Sequence, residues 1–141
     1  MTHSYRVSKL IDFCYGHRLL RYEGKCRNLH GHNGRVEIEL ASDTLDHRGM
    51  VIDFEEIKVG IKSWIDAELD HKMILCQDDP VIPDLQRRGE PFVAVDFNPT
   101  AEHIARMIFQ YAVSRGFPVV RVRLWETATS FADYAEEGTE N

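Results

Sequence analysis

Residues 30–40 read HGHNGRVEIEL, and the alternation within this stretch decides the fold class. From Val36 to Leu40, apolar side chains alternate strictly with charged ones. Because successive side chains of a β-strand point to opposite faces of the sheet, this pattern predicts a strand with one face turned towards a core.

Further extended segments flank this strand. Residues 5–13 (YRVSKLIDF) and 119–126 (VVRVRLWE) alternate between apolar and mostly polar side chains, which predicts a first and a last strand. Shorter extended pieces are predicted at Met50–Ile52 and within FVAVDF, residues 92–97.

Two amphipathic helices are predicted between the strands. Asp53 can cap the first helix, Glu56 completes a capping-box pattern, and the helix is expected to run to about Leu69. Thr100 is the expected N-cap of the second helix, which ends near Gly116. The order β–β–(β)–α–(β)–α–β predicts an α+β fold with helices on one face of an antiparallel sheet.

Length and composition limit the class of protein. The 141 residues, 43% of them hydrophobic and 28% charged, predict one domain over 1–141 with a flexible acidic tail from about residue 133. The net charge of −6 argues against nucleic-acid binding. The sequence has no apolar run of the roughly 18–20 residues that span a bilayer, and its first residues lack signal-peptide features. Three cysteines, an odd number, argue against a disulfide framework, so a cytoplasmic protein without membrane contact is expected.

Histidines supply a candidate metal site. His30 and His32 are two residues apart, so on a strand their side chains share the inward face of residues 36–40. His17 lies on the inward parity just beyond the first strand. Three imidazoles with one open position are the pattern of a catalytic zinc site. For the His30–His32 pair alone, two hydrogen-bonded histidines on a polar rim are the more common arrangement.

Other candidate residues carry chemistry only in combination. Cys26 lies between two basic residues, which favour a reactive thiolate, although a single cysteine is more often a small buried side chain. Asp70 can orient the imidazole of His71, although such a pair is more often incidental or a helix cap. Glu126 continues the inward parity of the last strand, where a carboxylate needs a partner or a ligand such as the N–H edge of guanine or of a pterin. A position beyond the strand end, in solvent, is equally compatible with the pattern.

A basic cluster stands out in this acidic chain and consists of Arg18, Arg21, Lys25 and Arg27. A cluster of this kind usually belongs to a solvated loop, although it can also bind a small polyanion such as a phosphorylated substrate.

Six short motifs run through the chain in order. They are F-x-x-x-H-R-L (13–19), C-x-x-x-H-G-H (26–32), G-M-V-I-D-F (49–54), L-D-H (69–71), N-P-T-x-E (98–102) and W-E-T (125–127). As a set they are highly specific, cover nearly the whole chain and resemble the 6-pyruvoyltetrahydropterin synthase family.

The resemblance implies a role for each candidate residue. It implies that Zn²⁺ is bound by three histidines, namely His17, His30 and His32. Cys26 would be the base and would work with Asp70 and His71. Glu126 would anchor the pterin, and Thr100 would line the pterin pocket.

The resemblance also implies a fold, an assembly and an activity. The fold would be the tunnelling fold, four antiparallel strands with two helices on one face, whose barrel is completed when chains form trimers that pair into hexamers. Sites would lie between subunits of this homo-oligomer. The substrate would be 7,8-dihydroneopterin triphosphate, converted either to 6-pyruvoyltetrahydropterin or, on the way to queuosine, to 6-carboxytetrahydropterin with loss of acetaldehyde and triphosphate.

The spacing of one motif separates the two activities. Three residues lie between Cys26 and H-G-H here, as in the carboxy enzymes of the family, whereas the pyruvoyl enzymes have five. We therefore expect the carboxy reaction; the pyruvoyl reaction, a pterin-binding paralogue without catalysis and a zinc-stabilised structural trimer are the alternatives.

Two segments depart from the family pattern. Cys14-Tyr15-Gly16 stands where small residues, often alanines, are common, and this can reshape the pocket beside the metal. Residues 72–97 are longer than the usual link, which can alter the site entrance or the assembly.

Overall fold

A six-stranded sheet with helices against one face forms the protein in this computed structural model, which describes residues 3–136. The strands are β1 (Tyr5–His17), β2 (His30–Ser42), β3 (Lys72–Cys76), β4 (Phe92–Val95), β5 (Val119–Thr127) and β6 (Ser130–Ala135). Their order across the sheet is β4-β3-β1-β2-β5-β6. The α+β class predicted from the alternation is confirmed.

The two predicted helices begin at their predicted caps, and the structure adds a short helix between β3 and β4. They are α1 (Phe54–Ile57), which continues through a π-helical segment (Lys58–Lys62) into α2 (Ser63–Glu68), then α3 (Ile82–Arg88) and α4 (Ala101–Ser114). The Asp53 carboxylate accepts the Glu55 N–H at 2.9 Å, and the Glu56 carboxylate accepts the Asp53 N–H at 3.3 Å. Thr100 Oγ1 accepts the His103 N–H at 3.2 Å. These side chains satisfy N–H groups that the first helical turns leave unpaired.

The core lies between the helices and the inward face of the sheet. Its members include buried side chains of the strands and of the helices, among them Ile38, Leu40, Val122, Leu124, Ile57, Ile61, Ile65, Ile104 and Ile108. Burying each such side chain stabilises the fold by about 1.5–3 kcal/mol. No helix in residues 3–136 combines the length and the apolar character needed to cross a membrane.

The sheet is larger than predicted, because β3 and β6 join it; the short strand expected within residues 92–97 is present as β4. β1, β2, β5 and β6 are antiparallel neighbours and supply the four antiparallel strands, whereas β3 pairs in parallel with both β1 and β4. The sequence of β3, KMILC, lacks alternation because its last three residues, 74–76, are all buried. The extended piece expected at Met50–Ile52 is instead an irregular segment before α1.

Residues 133–135, which we expected in a flexible acidic tail, belong instead to β6. Asp133 lies in β6, where its carboxylate accepts hydrogen bonds from Arg123 at 2.6 and 2.9 Å. Opposite charges on neighbouring strands stabilise such a pairing, so Asp133 belongs to the sheet. Residues 137–141, the rest of the predicted tail, lie outside the described residues.

A buried carboxylate anchors the long segment between β3 and β4. Asp79 has no exposed side-chain surface and accepts the Arg18 Nε–H at 2.8 Å and the Val81 N–H at 2.9 Å. Burial alone would raise the pKa of Asp79, but the hydrogen bonds from Arg18 and Val81 outweigh it and hold this pKa below its ordinary value. Arg18, at the end of β1, is therefore a structural member of the basic cluster.

We predict that Asp79→Ala lowers the free energy of unfolding by about 3 kcal/mol, because it leaves a half-buried guanidinium without its partner. Since the pKa of Asp79 is lowered in the folded protein, this stabilisation is complete above the unfolded-state pKa of about 3.9 and is lost as the pH falls through the folded-state value. Urea unfolding should show a constant difference from wild type between neutral pH and about pH 5, and a smaller one in acid. The control is Asp84→Ala, which removes an exposed ion pair with Arg87 and should change stability little. Equal losses for both variants would contradict the role of Asp79.

Candidate functional site

Three histidines meet where β1 ends and β2 begins. The antiparallel register pairs His17 with His30 and Tyr15 with His32, so all three imidazoles project from the inward face. The ring centroids of His17 and His30 are 4.5 Å apart, and both rings lie 5.1 Å from that of His32. One ring nitrogen of each histidine lies within 4.8 Å of the others, which confirms the spatial cluster that strand parity predicted.

The hydrogen bonds of these histidines leave metal-binding nitrogens free. His17 Nδ1 lies 2.8 Å from the Pro99 carbonyl oxygen, and His30 Nδ1 lies 2.7 Å from that of Asn28. Because a carbonyl oxygen can only accept, each Nδ1 carries the proton and each Nε2 keeps a lone pair. Burial lowers the pKa of His17, so its imidazole is neutral, the form that binds metals. The donor set therefore fits a metal ion.

Glu126 lies beside these histidines, near the end of β5. Its Oε2 is 3.6 Å from His17 Nε2 and 3.6 Å from His32 Nε2. Of the two positions compatible with the sequence, the inward one is correct, because β5 continues to Thr127 and keeps the parity of Leu124. The carboxylate remains partly accessible, so a ligand can reach it.

Tyr15 is a member of the site that the sequence analysis treated only as a departure. Its ring is buried, stacks on Phe13 at 5.1 Å and meets His17 edge-on at 5.3 Å. Gly34 makes room for it, since a Cβ there would lie 2.9 Å from the tyrosine ring. Burial, and then the charge of Glu126, raise the pKa of Tyr15 far above its usual range, so the hydroxyl stays neutral. Tyr15 lies two residues before His17 on β1, so both side chains are on the same face of the strand. This spacing is the signal that could have predicted Tyr15 as a member of the site.

The Asp–His pair forms a second cluster at the end of α2. His71 Nδ1 lies 2.8 Å from Asp70 Oδ2, while Asp70 Oδ1 accepts the Cys14 N–H at 2.9 Å. Burial alone would raise the pKa of Asp70, but the hydrogen bonds from Cys14 and His71 hold it below its ordinary value. His71 adopts a left-handed backbone, with φ of 60°, and donates its N–H to the Cys14 carbonyl. The pair is thus oriented for acid–base chemistry.

The thiol beside this pair is Cys14, not Cys26. Cys14 Sγ, a carboxylate oxygen of Asp70 and a ring nitrogen of His71 lie within 4.8 Å of one another. Cys14 also has Asn33 Oδ1 within 3.0 Å of its sulfur. From the sequence, Cys14 was singled out only as part of the departing segment Cys14-Tyr15-Gly16, and no role beside Asp70 was predicted for it.

Cys26 lies in a separate loop. It occupies a short 3₁₀ turn (Lys25–Arg27), and its carbonyl accepts the Leu19 N–H at 2.8 Å. Among residues 3–136, it belongs to neither cluster of close donor atoms. Asn98 anchors this loop, because its side-chain amide exchanges hydrogen bonds with the backbone of Leu20 at 2.9 and 3.2 Å.

The remaining predicted residues lie around this loop. Three members of the basic cluster are exposed, namely Arg21, Lys25 and Arg27, whereas Arg18 is engaged by Asp79. Thr100 caps α4 and directly follows Pro99, whose carbonyl oxygen accepts the hydrogen bond from His17 Nδ1.

The two clusters lie on opposite faces of β1. Tyr15 and His17 point towards the helices, whereas Cys14 points to the other face, where Asp70 and His71 line a cavity of about 1140 Å³. Consecutive strand residues project to opposite sides, so the chain holds the Asp–His pair across the sheet from its own histidine cluster.

Comparison with known proteins places the chain in a family. A family profile described as 6-pyruvoyl tetrahydropterin synthase matches residues 6–137. A protein named 6-carboxy-5,6,7,8-tetrahydropterin synthase from Aquifex aeolicus is 35% identical, with 94% of this chain and 99% of that protein covered. One of the same name from Rickettsia typhi is 39% identical, with 91% and 98% covered. A crystal structure of an uncharacterized protein from Wolinella succinogenes, 33% identical, superposes with a TM-score of 0.77 over 94% of this chain and 98% of that one. The chain belongs to the 6-pyruvoyl tetrahydropterin synthase family and has its fold.

Proposed function

We propose that this protein is a zinc-dependent lyase of the 6-carboxytetrahydropterin synthase type. It converts 7,8-dihydroneopterin triphosphate to 6-carboxytetrahydropterin, with uptake of water and release of acetaldehyde and triphosphate, as a cytoplasmic step towards queuosine. The relatives named above support this reaction, as does the three-residue spacing between Cys26 and H-G-H. The observation that carries the proposal is the cluster of inward imidazoles beside an accessible carboxylate.

The histidine cluster, His17, His30 and His32, would hold Zn²⁺. When bound, this ion supplies a Lewis acid for the hydroxyl groups of the substrate side chain. The Glu126 carboxylate can accept two N–H groups from the aminopyrimidine edge of the pterin and thereby orient the ring. The Cys26 thiolate would remove a side-chain proton, and the imidazole of His71, oriented by Asp70, would exchange that proton with the substrate. Thr100 would line the ring pocket.

A single chain does not bring these groups together, and this supports a shared site. Asp70 and His71 lie across the sheet from their own histidine cluster, and Cys26 lies in neither cluster of residues 3–136. We therefore propose a homo-oligomer, a hexamer built as a dimer of trimers, in which the Asp–His pair of one chain serves the Cys26 of its neighbour. The strands β4 and β6 form the two edges of the sheet and are available for pairing between chains.

The triphosphate would meet the exposed part of the basic cluster. Arg21, Lys25 and Arg27 flank the turn that carries Cys26 and can neutralise phosphate charge next to the reacting side chain. Arg18 is excluded from this role because Asp79 binds its guanidinium.

The test is a product assay with zinc-loaded protein and 7,8-dihydroneopterin triphosphate. We expect acetaldehyde and triphosphate to be released in equal amounts, and Cys26→Ala to stop both while circular dichroism and thermal unfolding stay unchanged. Triphosphate release with a pyruvoyl product and no acetaldehyde would assign the sister activity instead. Tight substrate binding without turnover would assign a pterin-binding protein.

A further inference from the structure

Cys14 has no part in the proposed reaction, yet the backbone holds it against the Asp–His pair. Its carbonyl oxygen accepts the His71 N–H at 2.6 Å, and its own N–H donates to Asp70 Oδ1 at 2.9 Å. Both hydrogen bonds use main-chain atoms of residue 14, so any side chain at this position could form them. The thiol is therefore an addition that this arrangement does not need for its stability.

The thiol completes a group of three different donors. The sulfur of Cys14, a carboxylate oxygen of Asp70 and a ring nitrogen of His71 lie within 4.8 Å of one another and line the same cavity. Thiolate and imidazole are ligands of Zn²⁺ and similar cations, whereas Mg²⁺ and Ca²⁺ prefer oxygen alone. Among residues 3–136, this is the one group of close donors that contains a thiol. Its chemistry thus differs from that of the histidine cluster across the sheet.

A metal ion can draw these donors together. Neighbouring donors of a tetrahedral zinc ion lie about 3.3–3.8 Å apart, so the group must contract by about 1 Å at its widest. The side chain of His71 is 77% exposed, so little packing opposes a turn of its ring. Its Nδ1 lies 2.8 Å from Asp70 Oδ2, and an ion between these two atoms takes the place of the proton that they share.

Asn33 can support the sulfur as a ligand. Its Oδ1 lies 3.0 Å from Cys14 Sγ, where it accepts the thiol proton. Metal binding releases that proton to solvent, and a turn of the amide then presents an N–H donor to the thiolate. Hydrogen bonds of this kind orient metal ligands.

We propose that Cys14, Asp70 and His71 form a second metal site, for a divalent cation of the zinc class, whose occupation inhibits the protein. The inhibition rests on the proposed function, in which His71 exchanges a proton with the substrate. A bound ion occupies the imidazole nitrogen that would carry this proton and separates the ring from Asp70. Zinc therefore supports the reaction on one face of β1 and opposes it on the other.

The second site is weaker than the histidine cluster. Its imidazole must be ordered from an exposed position, which costs side-chain entropy, whereas His17 of the histidine cluster is already buried and fixed. The second ion should therefore leave on dialysis and return only when free metal is in excess.

Cobalt titration of the zinc-loaded, dialysed protein tests the site without an activity measurement. A bond between Co²⁺ and a thiolate gives an intense charge-transfer band in the near ultraviolet, which Co²⁺ on histidines alone does not give. We expect this band to saturate at one added Co²⁺ per chain in the wild type and to be absent from Cys14→Ala. His71→Ala keeps the thiol but should bind Co²⁺ at least about tenfold more weakly, since removing even an outer partner of a ligand costs about 10–100-fold.

The matched control is Cys26→Ala. It removes another partly buried thiol, which lies outside both clusters of residues 3–136, and it should keep the band and its stoichiometry. A non-chelating phosphine keeps all thiols reduced during the titration. Absence of the band from the wild type, its persistence in Cys14→Ala or its loss in Cys26→Ala would overturn the proposal.

Turnover with added Zn²⁺ separates the inhibition from the proposed function. Acid–base catalysis contributes about 10²–10⁴-fold, so a saturated second site should slow the wild type at least about 100-fold. Cys14→Ala should turn over as the wild type does without added zinc and should resist the inhibition. Zinc that merely bound the triphosphate would slow both proteins equally, and that result would overturn the inhibitory role. A wild type without any turnover would contradict the proposed function, while the cobalt band would still decide whether the second site exists.

Discussion

His32→Ala will yield a folded protein that no longer retains zinc and turns over substrate at least about 1000-fold more slowly than wild type. His32 Nε2 is one of the nitrogens that face the common point of the cluster, and alanine offers no donor in its place. Loss of one ligand from a set of three lowers metal affinity, and without the ion the substrate hydroxyls stay weakly acidic.

The choice of His32 keeps the fold intact. Its side chain is partly exposed, whereas His17 is buried and bonded to Pro99, so His17→Ala would combine metal loss with structural damage. Metal content after dialysis, chelator competition and turnover are the measurements. His47→Ala, which removes an exposed histidine from the turn after β2, is the matched control and should behave as wild type. Full zinc occupancy in His32→Ala would contradict the metal site.

Two inactive variants, Cys26→Ala and His71→Ala, will recover activity when their chains assemble together. Each variant alone should be at least about 1000-fold impaired, since each lacks one partner of the acid–base step. In a randomly mixed oligomer, about a quarter of the shared sites would contain both an intact Cys26 and an intact His71 from a neighbouring chain, so about a quarter of wild-type activity should return. The measurement is turnover after the two tagged chains are co-expressed and purified through both tags.

The control for this experiment is a chain that carries both substitutions. Mixed with Cys26→Ala, it provides no intact thiol and should restore nothing. Verified mixed oligomers without recovery would contradict a site shared between chains. Activity would then depend on the thiol that lies beside His71 in the same chain, and Cys14→Ala would be as damaging as Cys26→Ala.

The parts of the site that depend on strand parity were predictable from the sequence. His17, His30, His32 and Glu126 all lie on the inward face because a β-strand alternates its side chains, and a sheet with one buried face fixes which parity is inward. The caps at Asp53 and Thr100 followed from local chemistry in the same way.

Other features depend on contacts between distant segments and could not be read from a local pattern. Asp79 meets Arg18 across 61 positions of the chain, so the loss of Arg18 from the anion site was not foreseeable. β3 lacks alternation because its last three residues are buried, which hid this strand and its parallel pairing with β4. Which thiol lies beside the Asp–His pair depends on where α2 ends relative to β1. That position brings Asp70 to the N–H of Cys14.

β1 constrains how this protein can evolve. Neighbouring positions on this strand serve different chemistry: Tyr15 and His17 contribute to the metal side, and Cys14 to the side of the Asp–His pair. A point substitution alters one of these surfaces and leaves the other unchanged. An insertion or deletion of one residue within β1 exchanges the two surfaces and destroys both. Lineages of this protein should therefore tolerate substitutions within β1 more readily than a change in the length of the segment between Phe13 and His17.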